Sequence, residues 1–304
     1  LGQVKRGAKF FSDGTPVPGQ QFEYAFDDIG NRTSSKAGGD ENGANLRTLN
    51  YSPNLNGQGL PNGLNQYGSR SVPGSEERKF EVLGLAFANA TVMVTSPNAQ
   101  NNASTVWRKG EYFRKELSYA ASATPFWEQI TVSSSSETTP TTGNTFLAGT
   151  PENYAYDDDG NLTSDGRWTY EWDAENRLKA MRSLAGSPAP ERRLVFEYDA
   201  SGRRIRKTVW NDRDDGQGSE LSDTVFVYDG WNLIAELDAN NANALKNSYL
   251  WGLDLSGTLQ GAGGVGGVGA WEIACKTSQS SDLGSGVPSA GRDQARRWFR
   301  QGTL

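Results

Sequence analysis

The sequence contains no histidine, a single cysteine (Cys275) and two methionines among 304 residues. Without histidine there is no Ser-His-Asp or Cys-His nucleophile and no imidazole metal ligand. A lone thiol forms neither an internal disulfide nor a thiolate cage, and as a nucleophile Cys275 lacks its usual base. No apolar run approaches the roughly 20 residues of a membrane-spanning helix. The opening LGQVKRGAKF has neither an initiator methionine nor an apolar signal-peptide core, so the chain reads as a fragment or a processed piece. Positive charge is not in excess either. A net charge of −6 argues against a general nucleic-acid binder.

What remains is rings and glycine. Hydrophobic residues make up only 35%, yet 9 Trp, 11 Tyr and 12 Phe are among them, so burial must come from large rings. The 36 glycines predict many tight turns.

The rings and turns fall in one recurring phrase. YAYDDDGNL (154–162) is followed at once by YEWDAENRL (170–178), and FEYDASGRR (196–204) and FVYDGWNLI (226–234) follow. YAFDDIGNR (24–32) stands apart near the start, and YLWGLDLSGTL (249–259) keeps part of the pattern. Aromatic-x-aromatic puts two rings on one face of a strand. Asp-x-x-Gly then predicts a tight turn, with Asp at the first corner and Gly or Asn in the left-handed conformation at the last. The turn pairs are Asp27 with Gly30, Asp157 with Gly160, Asp173 with Asn176, Asp199 with Gly202, and Asp229 with Asn232. The rings in the slot before Asp are Tyr156, Trp172, Tyr198, Tyr228 and Trp251, expected on one face of the sheet. Each unit is a strand, a turn and a return strand, and hairpins of this kind gain stability by stacking in series. The expected fold is all-β and antiparallel.

Other chemistry is poorly supported. DDDGNLTSDGRW (157–168) lacks the closing Glu of an EF-hand loop. GAGGVGGVG (261–269) matches Gly-x-Gly-x-x-Gly, but no helix follows to receive a dinucleotide. No catalytic residue, cofactor or metal is expected.

The units YEWDAENRL, FEYDASGRR and FVYDGWNLI resemble the YD repeats of rearrangement-hotspot (RHS) proteins, and residues 249–267 resemble the end of such an array before its associated core. The resemblance implies a β-strip that coils into a shell around a variable C-terminal toxin. Its partners would be the remaining repeats of a parent chain and a toxin cargo, at a secreted or bacterial cell-surface location. The chain has no Asp-Pro dipeptide, which the self-cleaving cores of that family use.

The expected layout is a first repeat copy with Gly/Asn-rich hairpins (1–78), an inserted small β-sandwich (79–134), a polar linker (135–152), the repeat array (153–267) and a poorly ordered variable tail (268–304). The expected role is a non-enzymatic structural piece of a shell for toxin encapsulation or surface display, without nucleic acid or a membrane span. Two alternatives remain. One is a carbohydrate-binding adhesion module whose aromatics come from Trp107, Tyr112, Phe113, Phe126 and Trp127; the other is an aspartate-based self-cleaving core using Asp254 with another carboxylate.

Overall fold

The computed structural model describes residues 3–55, 62–72, 77–254, 256–258 and 268–273. Its regular elements are nearly all β and antiparallel; among the described residues only the 3-10 turn Ala239–Asn241 is helical. The chain divides into two compact units, one holding residues up to Arg167 with Ser187–Ala189, the other Trp168–Gly186 and the described residues from Pro190 on.

The first unit opens with β1 (Arg6–Phe10), β2 (Pro16–Phe26), β3 (Arg32–Gly38), β4 (Leu46–Pro53) and β5 (Tyr67–Arg70), each antiparallel to its predecessor. Next come β6 (Glu77–Leu85), β7 (Val92–Thr95), β8 (Trp107–Lys109), β9 (Tyr112–Ala120), β10 (Phe126–Ser134) and β11 (Thr141–Leu147). They form two three-stranded sheets, in the orders β6-β9-β8 and β11-β10-β7. Both sheets contribute to one core of Val82, Val92, Val94, Phe113, Leu117, Tyr119, Ile130, Val132 and Leu147. In β9 the apolar Phe113 and Leu117 alternate with half-buried charges, the period-two pattern of a strand with one dry face. Lys115 shares that dry face, and its ammonium is satisfied by the Asn102 and Ser104 carbonyls and by Ser104 Oγ.

Here the expected boundaries need correction. The sandwich does not stop at residue 134. Thr141–Leu147, read as polar linker, pairs along its whole length with β10 and puts Leu147 in the core. The polar run 135–140 hides this because it is only the turn between the two strands. Three short strands complete the unit: β12 (Glu152–Asn153), which pairs with β5, then β13 (Ala155–Tyr156) and β14 (Leu162–Ser164), which pair with each other.

The second unit is a strip of β15 (Trp168–Trp172), β16 (Leu178–Ser183), β17 (Arg193–Tyr198), β18 (Arg204–Trp210), β19 (Glu220–Asp229), β20 (Asn232–Asp238), β21 (Ala244–Trp251) and β22 (Val268–Ile273). Each strand is antiparallel to the next. The tail expected to begin at residue 268 therefore begins with a strand paired to β21. The rest of the expected tail (274–304, with Cys275) and the glycine run 261–267 lie outside the described residues.

Candidate functional site

The turn carboxylates are committed to the backbone. Asp173 Oδ1 accepts the N–H groups of Glu175 and Arg177, each at 2.9 Å. Asp199 Oδ1 does the same for Ser201 and Arg203, also at 2.9 Å. Asp27 takes Ile29 and Asn31 at 3.1 and 2.7 Å, and Asp157 takes Asn161 at 2.7 Å. The fourth residue of each turn is left-handed: φ is 99° at Gly30, 88° at Gly160, 57° at Asn176 and 79° at Gly202. The N–H bonds from Arg177 and Arg203, joined by their guanidinium groups, hold Asp173 and Asp199 below the ordinary carboxylate range.

Two further copies of this turn carry weaker sequence signals. Asp40 accepts from Asn42 and Ala44 at 2.9 and 3.0 Å, ahead of left-handed Gly43. Asn62 takes the same corner, accepting Gln66 N–H at 3.2 Å with Asn65 left-handed at φ 59°. The first has Asp-x-x-Gly spacing in GGDENG (38–43), but no pair of rings precedes it. The second has Asn in place of both Asp and Gly. Asp254 also builds this turn: its Oδ1 accepts Ser256 N–H at 2.9 Å, and Gly257 closes it at φ 76°.

Asp229 and Asn232 do not. They pair directly across β19 and β20, leaving only Gly230 and Trp231 in the turn, and Gly230 is the left-handed residue at φ 57°. Asp-Gly here closes a two-residue hairpin, so Asn232 lies in the return strand.

The slot rings share one feature, and four of the five share a second. A register shift occurs between each one and the residue before it, at Ala155/Tyr156, Glu171/Trp172, Glu197/Tyr198, Val227/Tyr228 and Leu250/Trp251. This is the signature of a β-bulge. The polar tips of Tyr156, Tyr198, Tyr228 and Trp251 reach neighbouring backbone. In the second unit Tyr198 Oη donates to the Leu178 carbonyl at 2.9 Å, Tyr228 Oη to the Arg204 carbonyl at 2.9 Å, and Trp251 Nε1 to the Leu233 carbonyl at 2.7 Å. In the first unit Tyr156 Oη donates to the Tyr67 carbonyl at 2.9 Å. The acceptors in the second unit lie at the start of the preceding hairpin's return strand. The arginine four residues after Asp173 and after Asp199 completes the link. Arg177 lies 5.2 Å from the Tyr198 ring centroid and Arg203 lies 5.4 Å from that of Tyr228.

The acidic run 212–215 faces arginine. Arg193 is buried against Asp212 at 3.5 Å and holds Asp215 at 2.9 Å, while Arg182 holds Asp215 from the other side at 3.4 Å. Among the described residues no three Asp, Glu or Cys side chains converge as a metal site requires. Of the candidate carbohydrate rings, Trp107, Tyr112 and Phe126 pack on other rings of the first unit and Phe113 is buried in its core. Trp107 stacks on Phe11 at 6.3 Å, and Phe126 packs on Tyr119 at 5.3 Å beneath Arg78.

No family model matches the chain. Its curated relatives are nucleases. Over 101 residues it is 38% identical to the tRNA nuclease WapA of Bacillus subtilis (strain 168) and to the tRNA(Glu)-specific nuclease WapA of Bacillus subtilis subsp. natto. It is 36% identical over 101 residues to the tRNA3(Ser)-specific nuclease WapA of Bacillus spizizenii. The matched stretch is 33% of this chain and only 4% of each relative.

These relatives correct four expectations. They are named as tRNA nucleases rather than for a repeat family, so the rearrangement-hotspot assignment does not stand. The physical reason lies in the phrase itself. Ring-x-ring-Asp-x-x-Gly-Arg encodes a bulged strand, an Asp-cornered turn and an arginine lid, and stacked hairpins of this geometry favour it whatever their family. The non-enzymatic role, the absence of an enzyme and the exclusion of nucleic acid as a partner are overturned by the same names, which denote enzymes acting on RNA.

Proposed function

We propose that this chain is part of a tRNA-directed nuclease of the toxin type, and that its hairpin strip is the framework on which the RNA is handled. The carrying observation is the identity of 36–38% over 101 residues to three proteins named as tRNA nucleases. Two features support a framework role for the strip. Asp173 and Asp199 have Oδ1 filled by backbone N–H groups and Oδ2 by arginine guanidinium groups, which makes them poor general bases. The interlocked hairpins also hold their side chains on rigid strands, the platform that a binding surface needs.

The test is a native gel of unfractionated tRNA incubated with the purified chain, beside a denaturing gel of the same samples. Retarded tRNA supports the reading, and new RNA ends on the denaturing gel would place cleavage in this chain as well. tRNA that runs free and intact at micromolar chain overturns it.

A further inference from the structure

The loop between β18 and β19, residues 211–219, reads NDRDDGQGS and has no apolar side chain. It nonetheless lies against the sheet. Arg182 is opposite Arg193 across β16 and β17, and Trp210 is opposite Arg193 across β17 and β18, so the three stand in a row on one face. The loop meets this row through charge. Asp215 takes Arg193 Nη1 at 2.9 Å and Arg182 Nη2 at 3.4 Å, and Asp212 lies 3.5 Å from Arg193 Nε. Two hydrogen bonds to carbonyls add to the contact. Arg182 Nη1 donates to the Arg213 carbonyl at 2.8 Å, and Arg213 Nε to the Ser183 carbonyl at 3.3 Å.

These ionic contacts are poorly made. Arg193 and Asp212 are each 6% exposed, yet Arg193 Nε and Asp212 Oδ1 have no hydrogen-bond partner. Both charges have left water, and without a hydrogen bond between these atoms their attraction offsets little of the desolvation. The pair between β18 and β19 differs: Arg206 Nε reaches both oxygens of Asp223, at 2.9 and 3.0 Å. The Asp215 side chain is 73% exposed, where an ion pair contributes little and is screened by salt.

The loop is also self-contained. Asn211 N–H donates to the Ser219 carbonyl at 3.1 Å, Ser219 N–H to Asn211 Oδ1 at 2.7 Å, and Gln217 N–H to Asp212 Oδ2 at 3.1 Å. A Cβ at Gly218 would come within 2.7 Å of Asp212 Cβ, so glycine there lets the two limbs close on each other. At the base of the loop the register of β18 on β19 shifts between Val209 and Trp210, an irregularity that suits a hinge.

We propose that residues 211–219 form an ion-latched strap, which lifts off the sheet as a unit and uncovers Arg182, Arg193 and Trp210. Lifting returns Arg193 and the outer oxygen of Asp212 to water, which offsets the loss of their unbonded contact, while the strap keeps its internal hydrogen bonds. With the strap closed, Asp215 is shared by two adjacent guanidinium groups. With it open, Arg193 loses both of its carboxylates and Arg182 keeps Glu171, at 2.7 Å.

Hydrogen–deuterium exchange of the whole chain tests this, read by mass spectrometry on peptides covering 211–219 and on peptides of β17 and β18. In the parent chain, raising NaCl from about 0.05 to about 0.5 M should speed exchange in 211–219 about two- to threefold and leave β17 and β18 unchanged, because salt screens the exposed Asp215 pairs. Asp212→Asn combined with Asp215→Asn removes both anchors and should speed exchange in 211–219 about tenfold, again without change in β17 and β18. Exchange in 211–219 that ignores salt overturns the latch, whether or not the double variant folds. A folded double variant whose 211–219 exchanges at the parent rate overturns it as well. Faster exchange spread evenly over the loop, β17 and β18 overturns the strap as a separate unit, since the ion pairs would then be holding the sheet itself.

Discussion

Arg203 holds its own turn carboxylate, Asp199, at 2.7 Å while lying over the ring of Tyr228 in the following hairpin. Tyr228 returns the contact by donating its hydroxyl to the Arg204 carbonyl, one residue past that arginine. The turn of one hairpin is thus latched to the ring of the next. Arg177, Asp173, Tyr198 and Leu178 repeat the arrangement one hairpin earlier. The recurring phrase therefore encodes a coupling between hairpins as well as a hairpin.

If the latch matters, removing only its hydroxyl should register. Tyr228→Phe and Tyr198→Phe keep the ring beneath the arginine and leave a strand carbonyl without its donor. Each is expected to lower stability by about 1 kcal/mol, read as a shift of the urea midpoint. An unchanged midpoint in both would mean that water satisfies those carbonyls equally well.

Acid should loosen the turns of the second unit. Asp173 and Asp199 have folded pKa values below their unfolded ones, because their N–H and guanidinium partners favour the ionised form. The stability they contribute is fully present above the unfolded carboxylate value of about 3.9 and is lost as pH falls through the folded values. Thermal melts from pH 7 to 3 should fall in the acid range. The combined Asp173→Asn and Asp199→Asn variant should start lower at pH 7 and lose less on acidification. A variant that parallels the parent chain across that range would remove these two residues from the pH response.

Leu147 tests where the sandwich ends. It is 5% exposed and belongs to the core of the first unit. Leu147→Ala is expected to cost about 2–5 kcal/mol, as core truncations do. A linker residue would change stability by about 0.5 kcal/mol or less. Chemical denaturation of the first unit, followed by tryptophan fluorescence, separates the two.

Much of this architecture can be read from local chemistry. The Asp27, Asp157, Asp173 and Asp199 turns are legible because the corner residue, the left-handed residue and the two rings are all within nine positions. Asp40 and Asn62 are less legible because the same turn forms without the rings and, at Asn62, without Asp or Gly. The latch could not be read at all. It pairs Arg177 with Tyr198 and Arg203 with Tyr228 across hairpins, and that proximity depends on register rather than on spacing along the chain. The different partners of successive basic residues are hidden for the same reason. Arg204, Arg206 and Lys207 are neighbours in sequence, yet Arg206 meets Asp223 while Arg204 lies over Phe196.

The last prediction concerns the hairpin between β19 and β20, where the phrase misleads. By analogy with Asn176, Asn232 should be the left-handed residue, and replacing it should strain the turn. The structure gives that conformation to Gly230, at φ 57°, and places Asn232 in the return strand opposite Asp229. A Cβ at Gly230 would meet nothing within 4 Å, so any penalty there is purely one of backbone conformation. Gly230→Ala should therefore destabilise by about 1–2 kcal/mol, the cost of holding an L-residue in the left-handed region. Asn232→Ala should stay within about 0.5 kcal/mol, because an ordinary strand position asks little of its side chain. Urea denaturation of the two variants side by side decides the matter. The reverse order of penalties would restore a three-residue turn closed by Asn232.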